Sequence, residues 1–177
     1  MSFLRLPYRR ETGPMNMAAD WWMIRWARET GACLFRRYGW IHPQTSFGYG
    51  QKAQWVEEVT GEPLEQMVRR PTGGGIVRHQ TDLTYALVLP DGSPIAEVSP
   101  MELYGLVHRI LGEVLAHWGV ASQLMPCRER AGGGIPGDCF LQPVGLDLMD
   151  GNGARKLAGA RSEEHTSGLQ SPDHLVC

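Results

Sequence analysis

The chain reads as an α+β protein, a mixed sheet flanked by helices, and three observations carry that reading. Strand-like runs rich in aromatic and β-branched residues are punctuated by glycine and proline at uneven intervals. A few segments hold a helical period, one of them with strong end signals. Strands and helices alternate too irregularly for a doubly wound parallel sheet. With 177 residues, 42% of them apolar, the length suits one domain with a core of its own.

In order along the chain, residues 16–28 place Ala19, Trp22, Met23 and Trp26 at helical spacing, which predicts a short helix with an aromatic stripe in the core. Residues 32–38 and 44–49 read as strands among the turn residues Gly39, Pro43, Gly48 and Gly50, and 56–60 as part of a short helix. Strand signals return at 66–70 and 82–89, so the glycine run between them is a strand-to-strand connection. Ser99-Pro100-Met101-Glu102 is a capping box with proline in the first turn, and Gly119 stands just past the end of the helix it opens. Leu103, Leu106, Val107, Ile110, Leu111, Val114, Leu115 and Trp118 form the buried stripe expected of that helix. Beyond it, 121–124, 139–141 and 144–149 read as strands, Asp150-Gly151-Asn152-Gly153 as a turn, and Gly132-Gly133-Gly134 as flexible loop.

A net charge of −2 and a pI near 6.3 lack the basic excess that a phosphate backbone demands, so nucleic acid is not an expected partner. Residues 1–14 carry Arg5, Arg9, Arg10 and Glu11 without a long apolar run, so no signal peptide or membrane span is expected and the location expected is cytoplasmic. Cys33, Cys127, Cys139 and Cys177 form no Cys-x-x-Cys pair and have no histidine at zinc spacing, which predicts neither a metal site nor a disulfide frame.

The most informative stretch is Arg69-Arg70-Pro71-Thr72-Gly73-Gly74-Gly75-Ile76-Val77-Arg78-His79, followed by Asp82-Leu83-Thr84-Tyr85. Glycines let a backbone pass within hydrogen-bonding distance of a bound group, and a neighbouring guanidinium can hold a carboxylate or phosphate. A glycine hairpin flanked by surface arginines fits the same spacing equally well. No Gly-x-x-x-x-Gly-Lys-Ser/Thr phosphate loop is present.

These residues, with Asn16-Met17-Ala18 and Asp20, Arg37-Tyr38-Gly39-Trp40 through Ser46, Gly48 and Gln51, Cys139-Phe140, and Lys156-Leu157-Ala158-Gly159, stand in the order seen in lipoate-protein ligases and octanoyl or lipoyl transferases. The chain resembles that family up to about Ala160. The resemblance implies the fold shared with biotin-protein ligases, a mixed, largely antiparallel sheet with helices packed on it. It also implies an octanoyl or lipoyl group destined for a lysine of a lipoyl carrier domain. Gly73, Gly74 and Gly75 would approach the acyl group, Arg70 would hold its anionic end, and His79 would shape the pocket. Lys156 would point at the acyl carbonyl, and Cys139 would take the acyl group as a thioester before yielding it to the lysine amine. A transferase of this kind needs no cofactor and draws on an acyl carrier protein. The alternative on the same scaffold, a ligase acting on free lipoate, needs ATP and Mg. An inactive fragment of either is the third reading. Cys33 and Cys127 match no family nucleophile. Many members carry Asp directly after the histidine, where this chain has Gln80; Asp82 is the nearby carboxylate.

From Arg161 the chain departs from the family. Residues 161–177 show no periodicity and look like the translation of a sequencing adapter, from Arg-Ser-Glu-Glu-His-Thr-Ser to Leu-Val-Cys. The expectation is therefore an incomplete catalytic domain over 1–160, cut off after about Ala160, and a polar tail over 161–177.

Overall fold

The computed structural model describes residues 2–95, 97–126 and 145–160, and the backbone of Ser162–Glu164 and His174–Val176. Its elements in chain order are β1 (Phe3–Arg5), β2 (Arg9–Glu11), α1 (Gly13–Thr30), β3 (Cys33–Trp40), β4 (Gln44–Phe47), α2 (Ala53–Thr60), β5 (Met67–Arg69), β6 (Val77–His79), β7 (Thr84–Leu89), α3 (Pro100–His117), β8 (Ser122–Leu124), β9 (Leu148–Asp150), β10 (Lys156–Ala158), β11 (Ser162–Glu164) and β12 (His174–Val176).

The strands divide into three sheets in place of the single one expected. In the largest, β3 is the hub. β1 and β2 lie parallel to it along one edge, in register Phe3↔Cys33 and Arg9↔Tyr38. β7 runs antiparallel on the other edge, with Leu34 opposite Val88 and Tyr38 opposite Thr84. β12 and then β11 continue the sheet beyond β7, so two stretches of the 161–177 segment pair with the domain; Leu169 lies outside the described residues. The second sheet has the order β5-β4-β6 and the third β10-β9-β8. Antiparallel pairs dominate, as expected, with helices packed on the sheets.

Helix α1 starts with Pro14 in its first turn and stops at Gly31, whose φ of 65° turns its N–H back to Ala27 O. Its inward face carries Asn16, Met17, Asp20, Met23, Ile24 and Ala27. Met17, Met23, Ile24 and Ala27 meet Leu34, Tyr38 and Trp40 of β3 and Ala86 and Val88 of β7 in the main core. Met23 and Ile24 are buried to 0% and 2% exposure, each worth about 1.5–3 kcal/mol of apolar transfer.

The expected aromatic stripe is not the buried one. Trp22 and Trp26 stack on each other at 5.3 Å on the outer face, 46% and 38% exposed. The polar positions Asn16 and Asp20 take the inward places because β3 supplies their partners. Arg36 Nε–H donates to Asp20 Oδ1 at 2.9 Å, the Tyr38 hydroxyl donates to Asp20 Oδ2 at 3.1 Å, and Asn16 Nδ2–H donates to Gly39 O at 3.0 Å.

The capping box forms as expected: Glu102 N–H donates to Ser99 Oγ at 3.3 Å and Ser99 N–H to Glu102 Oε2 at 2.9 Å. The stripe of α3 is half right. Leu103 is buried and Val107 packs beside it, with Tyr104 and His108 sharing the inner face, while Leu106, Ile110, Val114 and Trp118 face outward. Two aromatic rings and their polar tips displace the expected aliphatic pattern because Asp147 and Leu146 O lie in reach. The strand expected at 144–149 begins only at Leu148, and a strand not expected, β6, follows the glycine run. No helix of the described residues is long and apolar enough to cross a membrane.

Candidate active site

The glycine loop is built by β4. β5 lies parallel on one side of β4, with Ser46 opposite Val68, and β6 lies antiparallel on the other, with Ser46 opposite Val77. The connection from β5 to β6 must therefore cross the end of β4. Arg70 N–H donates to Phe47 O at 2.8 Å and Tyr49 N–H to Thr72 O at 2.9 Å, which ties the start of the loop to the chain leaving β4. Gly48 lies directly beneath. A Cβ on it would stand 2.8 Å from the Gly73 carbonyl carbon and would overlap Gly74 O, so only glycine admits the loop at this height. Gly74 itself has a φ of 90°, a conformation that side-chain-bearing residues rarely adopt.

Arg70 is 7% exposed and turns its guanidinium onto this loop. Nη2–H donates to Gly73 O at 3.0 Å and to Gly75 O at 2.8 Å, and Nη1–H donates to Ser46 Oγ at 2.7 Å. Ser46 Oγ is 2.7 Å from His79 Nε2, and His79 Nδ1 is 2.8 Å from Asp82 Oδ2. Thr84 Oγ1–H and Gln80 N–H also donate to Asp82, at 2.9 and 3.0 Å. Burial pushes the Asp82 carboxyl up, but the bonds from His79, Thr84 and Gln80 together with the charge of His79 outweigh it and hold the group below the usual carboxylate range. The Trp40 ring lies 4.0 Å from the His79 ring, nearly parallel, and its indole N–H donates to Thr84 Oγ1 at 2.9 Å. The hydroxyl of Thr72 in the same loop is buried without a hydrogen-bond partner among the described residues. Arg69 points outward, to the carbonyls of Tyr49 and Gln51.

Lys156 belongs to a second cluster. Its Nζ is 2.8 Å from Asp147 Oδ2, with side-chain exposures of 8% and 0%. The Tyr104 hydroxyl donates to Asp147 Oδ1 in a very short bond and accepts from Ala160 N–H at 3.3 Å. Leu146, with a φ of 67°, bends the chain just before Asp147 and presents its carbonyl to His108 Nδ1–H at 2.6 Å. Burial, with Lys156 adding to it, lowers the His108 pKa against the opposing pull of Leu146 O and Asp147. Lys156 folds back over Gly159: a Cβ there would overlap Lys156 Cε and Nζ and stand 3.2 Å from Asp147 Oδ1.

Of the residues singled out from the sequence, the structure brings Arg70, Gly73, Gly74, Gly75 and His79 together and sets Lys156 on Asp147. Cys139 lies outside the described residues, as do Cys127, Cys177 and the second glycine triplet. Ser46, Trp40, Tyr104 and Asp147 had been given no role at the site. A charged residue between Leu146 and Leu148 at a strand entry is the signal that could have found Asp147, since such a side chain is buried only with a partner.

No protein-family model matches the chain. Among solved structures, lipoate-protein ligase A bound with ATP aligns with a TM-score of 0.64 at 20% identity, over 99% of this chain and 64% of that one. A bi-partite lipoate protein ligase from Thermoplasma acidophilum, described with its E2 lipoyl domain, aligns with a TM-score of 0.60 at 19% identity, over 99% and 59%. The fold is that of the lipoate protein ligases. Among sequences, the octanoyltransferase LipM of Halalkalibacterium halodurans is 38% identical over 156 residues, 82% of this chain and 55% of the relative. That of Kyrpidia tusciae is 38% identical over 170 residues, 91% and 61%. The chain belongs to the lipoate-protein ligase and octanoyltransferase family. It spans about half the length of the curated relatives it matches.

Proposed function

We propose that the chain is the acyl-binding part of a cytoplasmic transferase that moves an octanoyl or lipoyl group onto a lysine of a lipoyl carrier domain through a thioester on Cys139. The observation that carries this reading is the cradle of backbone made by Gly48 beneath Gly73 and Gly74, joined to the likeness to octanoyltransferases. In the first step the Cys139 thiolate attacks the carbonyl carbon of an acyl thioester on a carrier protein. A C–S bond to Cys139 forms, the C–S bond to the carrier breaks, and the carrier thiolate takes up a proton. In the second step the neutral amine of the acceptor lysine attacks that carbonyl. The C–N bond forms, the bond to Cys139 breaks, and the proton lost by the amine returns to sulfur. Exchange between thioesters is close to isoenergetic and amide formation runs downhill, so the sequence needs no ATP. Lys156, oriented by Asp147, is the cation that would stabilise charge developing on the carbonyl oxygen. Arg70 shapes the loop through Gly73 O and Gly75 O and is the proposed holder of the anionic end.

Replacing Cys139→Ser tests the reading. Loss of ATP-independent transfer from octanoyl carrier protein, with trapping of a mass increase on the unsubstituted protein, supports it. Activity that survives the change and requires ATP and free lipoate replaces it with the ligase reading.

A further inference from the structure

The hydrogen bonds behind the glycine loop have a direction. A guanidinium has no acceptor, so Arg70 Nη1–H donates to Ser46 Oγ over 2.7 Å. The serine keeps its own proton to give, and the atom in reach is His79 Nε2 at 2.7 Å. An imidazole that accepts at Nε2 while facing a carboxylate at Nδ1 carries its proton on Nδ1, and Asp82 Oδ2 lies 2.8 Å from that atom. Ser46, His79 and Arg70 are 0%, 4% and 7% exposed, so the Arg70–Ser46–His79 contacts are screened from solvent, while Asp82 is partly exposed. The order of contact is that of a hydrolase triad. Here, however, the serine is wholly enclosed, and the chain ends on a guanidinium instead of an incoming carbonyl.

We infer that Ser46 and Asp82 are positioning residues: through His79, with a proton on Nδ1, they fix the Arg70 guanidinium, and Arg70 fixes the carbonyls of Gly73 and Gly75. A trans peptide sets its N–H opposite its C=O, so holding Gly73 O toward Arg70 turns the Gly74 N–H to the opposite side, where an acyl carbonyl or carboxylate can accept it. The inference rests on the reading of this loop as the acyl cradle. It gives the loop arginine a fixed acceptor: Ser46→Ala removes the 2.7 Å bond at Nη1, and without Asp82 the imidazole has no reason to keep its proton on Nδ1.

The experiment is nitrogen NMR of the histidine-labelled full chain at about pH 8, where an ordinary imidazole is neutral, combined with amide exchange and octanoate binding. His79 is expected as the Nδ1–H tautomer. Ser46→Ala and Asp82→Asn are each expected to move the His79 Nε2 signal, to speed exchange at Gly74 and Gly75, and to weaken octanoate binding about tenfold, the scale of one hydrogen bond to a charged group. Because the serine acts through Arg70, adding Ser46→Ala to Arg70→Lys is expected to cost no further binding. A His79 protonated on Nε2, or additive losses in the double substitution, would overturn the inference. A native protein that shows the expected tautomer but binds no octanoate leaves the relay standing and removes the acyl reading instead.

Discussion

Lys156 Nζ and Asp147 Oδ2 meet at 2.8 Å with almost no access to water. The desolvation cost of such a pair is offset by the mutual attraction of its charges and, on the carboxylate side, by the Tyr104 hydroxyl. Removing one partner takes a 2.8 Å counter-charge away from an enclosed ion. Asp147→Ala is therefore expected to destabilise the fold by about 3–5 kcal/mol, and Asp147→Ala with Lys156→Met by clearly less. Urea unfolding of the two variants checks this, and equal losses would mean that the pair is not coupled.

Gly48→Ala is expected to lift the glycine loop. Its methyl would stand 2.8 Å from the Gly73 carbonyl carbon, and backbone cannot rotate away as a flexible side chain can. The expected cost is about 1–3 kcal/mol, as for other overpacked sites, together with weaker octanoate binding. Gly50→Ala is the control, since a Cβ there meets nothing within 4 Å. Calorimetric titration of both variants with octanoate distinguishes them.

Thr72→Val removes a buried hydroxyl that has no hydrogen-bond partner among the described residues. Stability is expected to hold or to rise slightly, because nothing is lost and an unpaired polar group is removed. If the hydroxyl serves the carbonyl end of the acyl group, octanoate affinity falls about fivefold or more. Thermal unfolding with and without octanoate reads both effects from one preparation.

Stability should depend on pH through Asp20. Burial lifts its carboxyl from 3.8 to about 6, against the pull of Arg36 and Tyr38. Between about pH 4 and pH 6 the folded form then holds a proton that the unfolded chain releases, so this group makes the fold less stable as pH rises through that window and contributes no further change above it. Asp82 acts in the opposite sense, since its depressed pKa adds stability that is lost only as pH falls below the ordinary carboxylate value of 3.8. Denaturation midpoints from pH 4 to 7 are expected to flatten in Asp20→Asn, and an unchanged slope would remove Asp20 as the cause.

What could be read before the structure was local in sequence. The Ser99 to Glu102 capping box needs only residues three apart, and it forms as read. Arg70, the glycine triplet and His79 fall within one short run, so their association was visible. Ser46 and Asp147 were not, because their partners come from strand register: Ser46 meets His79 across 33 residues and Tyr104 meets Asp147 across 43. The misplaced tryptophans of α1 have the same origin. Helical spacing alone allows either face to turn inward, and the choice fell to Asp20 once Arg36 and Tyr38 on β3 could satisfy it.

Of the six tryptophans, Trp40 alone is buried, and it lies flat against the His79 ring. Its indole should emit at shorter wavelength than the five that water reaches. Loosening of that stack would let water reach the ring and move its emission to longer wavelength. The molecule thus carries a built-in optical gauge of its own loop, one that needs no attached dye.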